Sequence, residues 1–459
     1  MALFVDALGA KGSFRASRRT AIADVSGHET AELSLVPTLF VDRTLAALRK
    51  AEPLRADDCV EAFHTAARLF ATGTVEGQSV DEYAYTVSRV AGIPISVVRA
   101  ATRSIAQRLV LAYDSAHRAR PVGAVGDWRD PLTRSGHAVW TRRGQVFAVH
   151  AAGNHPGTHS MWPQALALGY RVAVRPSSRE PFTPHRLISA LRTAGFGDDR
   201  VALLPTAHQH AESLLRGADL GMVYGGQEVI DRFGRDPRML PQGPGRSKVL
   251  ITADVDWRDH LEVIVDSVSM HGGTGCVNTT TVLVEGDPTP LCEALAERLA
   301  ALPSLPPEDE KAVLPVQPSA AAHKIAGFLA QKAQGTRPWL GAAHVVAELG
   351  DGSAVMRPAV HQVDGPQAPQ ARIELPFPCV WVAPWTSASG VGSLRDTLTL
   401  TVLTGRAALV DALLDEPTIG NVHIGDQPTC RIEPGLPHDG FLGDFLMRSK
   451  TVIREGTHR

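Results

Sequence analysis

Cysteine and net charge are both sparse in this chain, and each scarcity excludes something. The five cysteines (Cys59, Cys276, Cys292, Cys379 and Cys430) show no C-x-x-C spacing, which excludes a zinc ribbon and a disulfide framework and fits a reducing compartment. A formal net charge of -2 excludes a basic nucleic-acid-binding face, so no nucleic acid partner is expected. No apolar run reaches the roughly 20 residues that span a bilayer. The segment Met1 to Arg15 has no basic stretch followed by a long apolar one, so no secretory signal is expected and the location is read as cytoplasmic. His155 and His159 stand at i,i+4, but Pro156-Gly157 separates them and no third ligand is evident, so no metal is expected. No G-x-G-x-x-G follows any strand-like run, which removes the ordinary dinucleotide fingerprint.

What is present is a globular balance over 459 residues, 44% hydrophobic and 20% charged, enough for two or three domains. Residues 26–35 read as a strand, and helical periodicity follows over 36–54, 58–71, 81–90 and 95–118, with Asp57-Asp58 as a cap and Pro94 in a first turn. The Arg-, Gly- and Pro-rich stretch 120–143 reads either as a hairpin arm reaching a neighbouring subunit or as a surface loop. Strands and helices then alternate: strands over 145–150, 170–175, 201–204 and 220–224, helices over 158–168, 184–194, 207–216 and 226–234. Alternation at this spacing implies a parallel sheet covered on both faces, with nucleotides bound at the carboxyl ends of its strands. Tyr224-Gly225-Gly226-Gln227-Glu228 ends a strand and starts a helix, where free amides suit a phosphate. A second alternating block begins at 248–252, with helices over 289–302, 320–334 and 406–415, strands over 345–349, 380–383 and 398–403, and the Pro-rich stretch 302–318 as a surface connection.

A lone thiol stands out in the second block. Cys276 follows Gly272, Gly273 and Gly275, between an amphipathic segment over 257–270 and the β-branched run over 281–284. Glycines at such a junction let a substrate and backbone amides approach sulfur, and those amides stabilise a thiolate or the oxyanion of its acyl adduct. A buried structural cysteine after a glycine turn is the competing reading.

Several short pieces, in order over 145–453, resemble the aldehyde dehydrogenase superfamily. Gly153-Asn154-His155-Pro156 is similar to W-N-F-P, whose asparagine amide helps form the oxyanion hole. Val174-Arg175-Pro176-Ser177 resembles V-K-P-S, where the basic residue touches the adenosine ribose. The run Val223 to Val229, with Gly225 and Gly226, resembles F-T-G-S-x-x-V beneath the pyrophosphate, and Gly245-Arg246-Ser247 resembles G-K-S. Gly273-Thr274-Gly275-Cys276 is similar to G-Q-x-C, which makes Cys276 the nucleophile. Glu374-Leu375-Pro376-Phe377-Pro378 resembles E-I-F-G-P, so that Glu374 and Phe377 set the nicotinamide ribose and ring. The stretch Gly440 to Ile453 resembles the glycine-rich segment and final strand. The resemblance implies an α/β fold: a Rossmann-like cofactor domain, a second α/β catalytic domain and a small β oligomerisation arm, in a homodimer or homotetramer. It divides the chain into an N-terminal helical part of the cofactor domain (1–122), a candidate oligomerisation hairpin (123–144), the Rossmann-like part (145–240), the catalytic domain (241–425) and a C-terminal segment with an oligomerisation strand (426–459).

Departures from the superfamily pattern sharpen the expectation. Aligning Gly245 with the second glycine of E-L-G-G puts Gln242 where the general-base glutamate stands, and glutamine takes no proton from water at neutral pH. Branches resembling this one pass the acyl group to coenzyme A, or reduce acyl thioesters as the fatty-acyl reductases of bacterial luminescence do. His155 replaces an aromatic residue and His271 an asparagine; each is either a spare acid–base group or a local hydrogen-bonding residue, and Glu228 is a further substitute base. Ser178, beside Arg179 and near Arg175 and Ser177, stands where NAD-preferring relatives carry a glutamate. That favours NADP(H) over NAD(H), unless the arginines are solvated surface groups. The expected activity interconverts a small-molecule aldehyde and an acyl thioester, of coenzyme A or an acyl carrier protein, through a thioester on Cys276. Hydrolytic oxidation of an aldehyde, and a non-catalytic subunit, are the competing expectations.

Overall fold

A computed structural model describes residues 3–454; residues 455–459 of the expected C-terminal segment, with Met1 and Ala2, lie outside it. The apolar runs of the two alternating blocks become two seven-stranded sheets. The first runs in the order Met239–Gln242, Leu220–Tyr224, Val146–His150, Arg171–Arg175, Val201–Leu203, Ala7–Gly9, Gly12–Phe14, and its first five strands are parallel. The second runs Arg337–Leu340, Ala359–Gln362, Cys379–Trp385, Thr279–Glu285, Ser247–Ile251, Thr397–Leu403, Ile419–Ile424, parallel throughout except at Arg337–Leu340.

Successive residues of a strand point to opposite faces, so a sheet covered on both sides needs a continuous apolar run. Phe147 and Val149 enter one hydrophobic cluster while Val146 and Ala148 enter another across the sheet. In the second sheet Leu250, Leu283, Trp381 and Val402 face one cluster, and Val249, Val282, Val380 and Leu403 the other.

Several expectations are corrected. The chain does not open on a lone strand over 26–35: four short strands precede Glu29–Ser34, and Ala7–Gly9 pairs antiparallel with Val201–Leu203 to extend the first sheet. The helix over 95–118 is two helices, Ile95–Val110 and Ala112–His117. Arg55, not Asp57-Asp58, stands at the start of Ala56–Thr72, with both aspartates inside the first turn. Residues 123–144 form no hairpin: Ala124–Val125 runs parallel to His137–Arg142, which pairs antiparallel with Met447–Val452. The proline-rich stretch 302–318 is surface-lying only in part, because Ala312, Leu314 and Val316 are buried and Val316 donates its amide to the Gly92 carbonyl.

Candidate active site

The nucleophile loop hangs between the helix Leu261–Ser269 and the strand Thr279–Glu285. His271, Gly272 and Gly273 take φ of 58°, 72° and 65° in succession, a left-handed run that two glycines make affordable and a histidine tolerates. Several side-chain bonds hold the loop. Gly275 N donates to Asn278 Oδ1 at 2.9 Å, Asn278 Nδ2 donates to Met270 O at 2.8 Å, and Ser247 Oγ donates to Cys276 O at 2.9 Å. Glycine is required at 245, where a Cβ would overlap the Cys276 carbonyl, and at 273, where it would come within 2.5 Å of Pro378 N. The second contact presses the loop bearing Glu374 against the nucleophile loop.

Cys276 is half-buried. Burial pushes its thiol up to about 12, and the Glu374 and Asp439 carboxylates add to this; the amides of Cys276 and Val277, turned toward sulfur, oppose it without prevailing. A thiol so placed needs a proton acceptor. His438 Nε2 stands 3.8 Å from Cys276 Sγ. Loss of water around the imidazole, with Arg108 nearby, lowers its pKa to about 4, so at physiological pH it is neutral, with a ring nitrogen free to accept a proton although it is a weaker base than an ordinary histidine.

A cavity of about 370 Å³ is lined by Cys276, Asn154, Gln242, Gly225, Gly226, Glu374 and His438. Asn154 Nδ2 donates one hydrogen to Thr274 O at 2.9 Å, leaving the second for an oxyanion. Gln242 is buried, ends the strand Met239–Gln242, and makes only a long contact from Nε2 to Pro241 O. Glu374 Oε1 accepts from Arg246 N at 2.6 Å, and burial raises its pKa. Gly226 N donates to the exposed Glu228 Oε1 at 3.1 Å, so an incoming phosphate would have to displace that carboxylate. Gly225 and Gly226 put no side chain of their own on this wall of the cavity.

Other expected residues lie elsewhere. Phe377 is buried in the core of the second sheet and does not face the cavity; Leu375 and Pro376 line it instead. Arg175 turns inward, donating to Thr206 Oγ1, Thr206 O and His150 Nε2, so the bonds of its guanidinium lie within the fold. Arg179 Nη2 donates to Ala91 O and Gln317 Oε1, and Ser177 Oγ accepts from Arg179 N; Ser178 is exposed. His155 and His271 meet edge to face at 5.2 Å. Burial lowers both pKa values, that of His155 to about 3, and His155 Nδ1 accepts from Gly157 N. The histidine against sulfur is thus neither of them but His438, two residues before the glycine-rich stretch Gly440 to Ile453. The one cue in the sequence was a histidine abutting that stretch.

A model of the Aldehyde dehydrogenase family matches residues 19–446. Malonate-semialdehyde dehydrogenase 1 of Geobacillus thermodenitrificans is 23% identical over 148 residues, 31% of this chain and 30% of the relative. Vanillin dehydrogenase of a Pseudomonas species is 29% identical over 162 residues, 32% of this chain and 33% of the relative. The matched stretches therefore span about a third of these curated relatives. Among solved structures, an indole-3-acetaldehyde dehydrogenase complexed with NAD+ superposes with a TM-score of 0.83 at 16% identity, covering 98% of this chain and 96% of its own. An NAD-dependent aldehyde dehydrogenase from Sinorhizobium meliloti gives 0.82 at 19% identity, covering 98% and 95%. With the family pattern matched over nearly the whole chain and the fold shared end to end, this chain belongs to the aldehyde dehydrogenase family.

Proposed function

We propose that the chain is a nicotinamide-nucleotide-dependent oxidoreductase that interconverts an aldehyde and an acyl thioester by way of a covalent thioester on Cys276. Cys276 Sγ attacks the carbonyl carbon as its proton passes to His438 Nε2. The free hydrogen of the Asn154 amide and the Cys276 backbone amide receive the developing oxyanion. When bound, the nicotinamide supplies the hydride acceptor or donor. Gly225, Gly226 and Glu374 are the groups that would hold that nucleotide. The names of the curated relatives, malonate-semialdehyde and vanillin dehydrogenases, support an aldehyde as substrate.

The observation that carries the acyl-transfer part is Gln242, an amide lining the same cavity as Cys276. It has the shape of a general base and no basicity, so water is poorly activated and a thiol, of coenzyme A or a carrier protein, is the better acceptor. We propose NADP(H) over NAD(H) because no carboxylate stands at Ser178 to repel a 2'-phosphate. Arg175 is buried and bonded inward, whereas Arg179 is exposed and only its Nη2 is held, by Ala91 O and Gln317 Oε1, so Arg179 is the cation we assign to that phosphate. A preference for NAD that survives Arg179→Ala overturns this choice.

One observation favours a second reading, hydrolytic oxidation of an aldehyde to an acid: His438 is a neutral base in contact with sulfur and could take a proton from water. Acid formed from aldehyde without any thiol separates the two. Gln242→Glu is expected to raise it clearly. If the unaltered protein already makes acid over many turnovers without thiol, the hydrolytic reading replaces the acyl-transfer one.

A further inference from the structure

Cys276 also borders a second cavity, of about 310 Å³. One wall is the helix Ile95–Val110, from which Ala100, Ser104 and Arg108, at i, i+4 and i+8, share a face. The two small residues leave the space open, and the guanidinium lies a turn further along. Among the described residues no Asp or Glu lines this cavity.

Arg108 is half-buried, and among the described residues it has no hydrogen-bond or ion-pair partner. Burial lowers its pKa with no acidic neighbour to counter it. Other buried arginines are treated differently by the fold. Arg171 Nε donates to Leu48 O, Arg175 Nη2 to Thr206 O, and Arg186 Nε to Phe70 O. An arginine that lines a cavity together with a nucleophile, and that no protein acceptor holds, is free to meet a ligand anion there.

We propose that Arg108 anchors a carboxylate at the tail of the substrate, so that the enzyme takes short aldehydes or acyl thioesters bearing a terminal carboxylate, with the reacting carbonyl at Cys276. This rests on the oxidoreductase reading above. The planar fork of arginine matches a carboxylate with two parallel hydrogen bonds. A phosphoryl group is the less suited anion, because this cavity offers it one guanidinium and no helix N-terminus.

Two measurements test the anchor. The first is the ratio of kcat/KM for succinic semialdehyde to that for butyraldehyde, which differs from it by the terminal carboxylate. The ratio is expected to favour the semialdehyde and to fall about 100-fold in Arg108→Gln, as when one partner of a desolvated ion pair is removed. Arg108→Lys keeps the charge, loses the fork and should fall between. A ratio near one in the unaltered enzyme, or one unmoved by Arg108→Gln, overturns the proposal. The second needs no turnover: succinate should slow alkylation of Cys276 by iodoacetamide in the unaltered protein and not in Arg108→Gln, and should protect better than inorganic phosphate. Arg108-dependent protection in a protein that oxidises no aldehyde keeps the anchor and removes the oxidoreductase reading. Absence of protection, protection indifferent to Arg108, or protection by phosphate alone overturns the anchor.

Discussion

At the scale of single residues, the thiol and the imidazole facing it are both held neutral. Burial pushes Cys276 up to about 12 and His438 down to about 4, so a resting ion pair is disfavoured and the proton moves only as sulfur attacks. This differs from cysteine sites whose thiolate is formed in advance beside a cation. Turnover in His438→Ala should drop by about 10² to 10⁴-fold, the usual span for losing a positioned proton acceptor. His438→Gln, which keeps a polar side chain without basicity, should fall as far. Single-turnover hydride transfer checks this; a rate within a few-fold of normal in both variants would remove His438 from the chemistry.

At the scale of elements, the nucleophile loop is organised by one buried side chain, Asn278. It accepts from Gly275 N and donates to Ser267 O and Met270 O. Asn278→Ala leaves an amide and two carbonyls without partners, so urea unfolding should show a loss of about 2–3 kcal/mol with an unchanged m-value. A change below about 0.5 kcal/mol would mean the loop is held by its backbone alone. Elements of this kind were unevenly legible in the sequence. Cys276 stood out because glycines bracket it between a helical period and a β-branched run, and Gln242 because its distance from Gly245 sets the register. His438 was not legible: it sits in an aperiodic stretch of Gly and Pro, and only the pairing of distant strands brings it to sulfur. Phe377 and Arg175 have family-like positions in the sequence, yet core packing claims the one and His150 with Thr206 the other. The three-residue strands near the N-terminus carry too few residues for a period to show.

At the scale of the whole molecule, burial of imidazoles dominates the response to acid. His150, His361 and His438 are lowered to about 4, and His155 and His159 to about 3; His185, His271 and His423 are lowered as well. For a histidine held neutral in the fold, the unfolded chain binds the proton first, near pH 6.5. Stability from these groups is complete above that pH and is lost as pH falls toward 4. Glu180, raised to about 7, opposes them across part of this window, and so do Glu374, Asp266 and Asp439, but the histidines are more numerous. Tm should therefore decline steadily from pH 6.5 to pH 4, ahead of the carboxylates whose pKa values are lowered; a flat Tm over that range would refute the burial of the imidazoles.

The strand Met447–Val452 pairs with His137–Arg142 along its whole length, bringing together Thr141 and Arg448, 307 residues apart. During synthesis the earlier strand emerges long before its partner, so a growing chain carries an open strand edge until the 307 residues that separate Thr141 from Arg448 have been made. Such an edge invites pairing between neighbouring nascent chains on one messenger. Chains ended at residue 446 should stay trapped in that condition and sediment as aggregates, and adding the peptide 447–454 in trans should restore part of the monodisperse material.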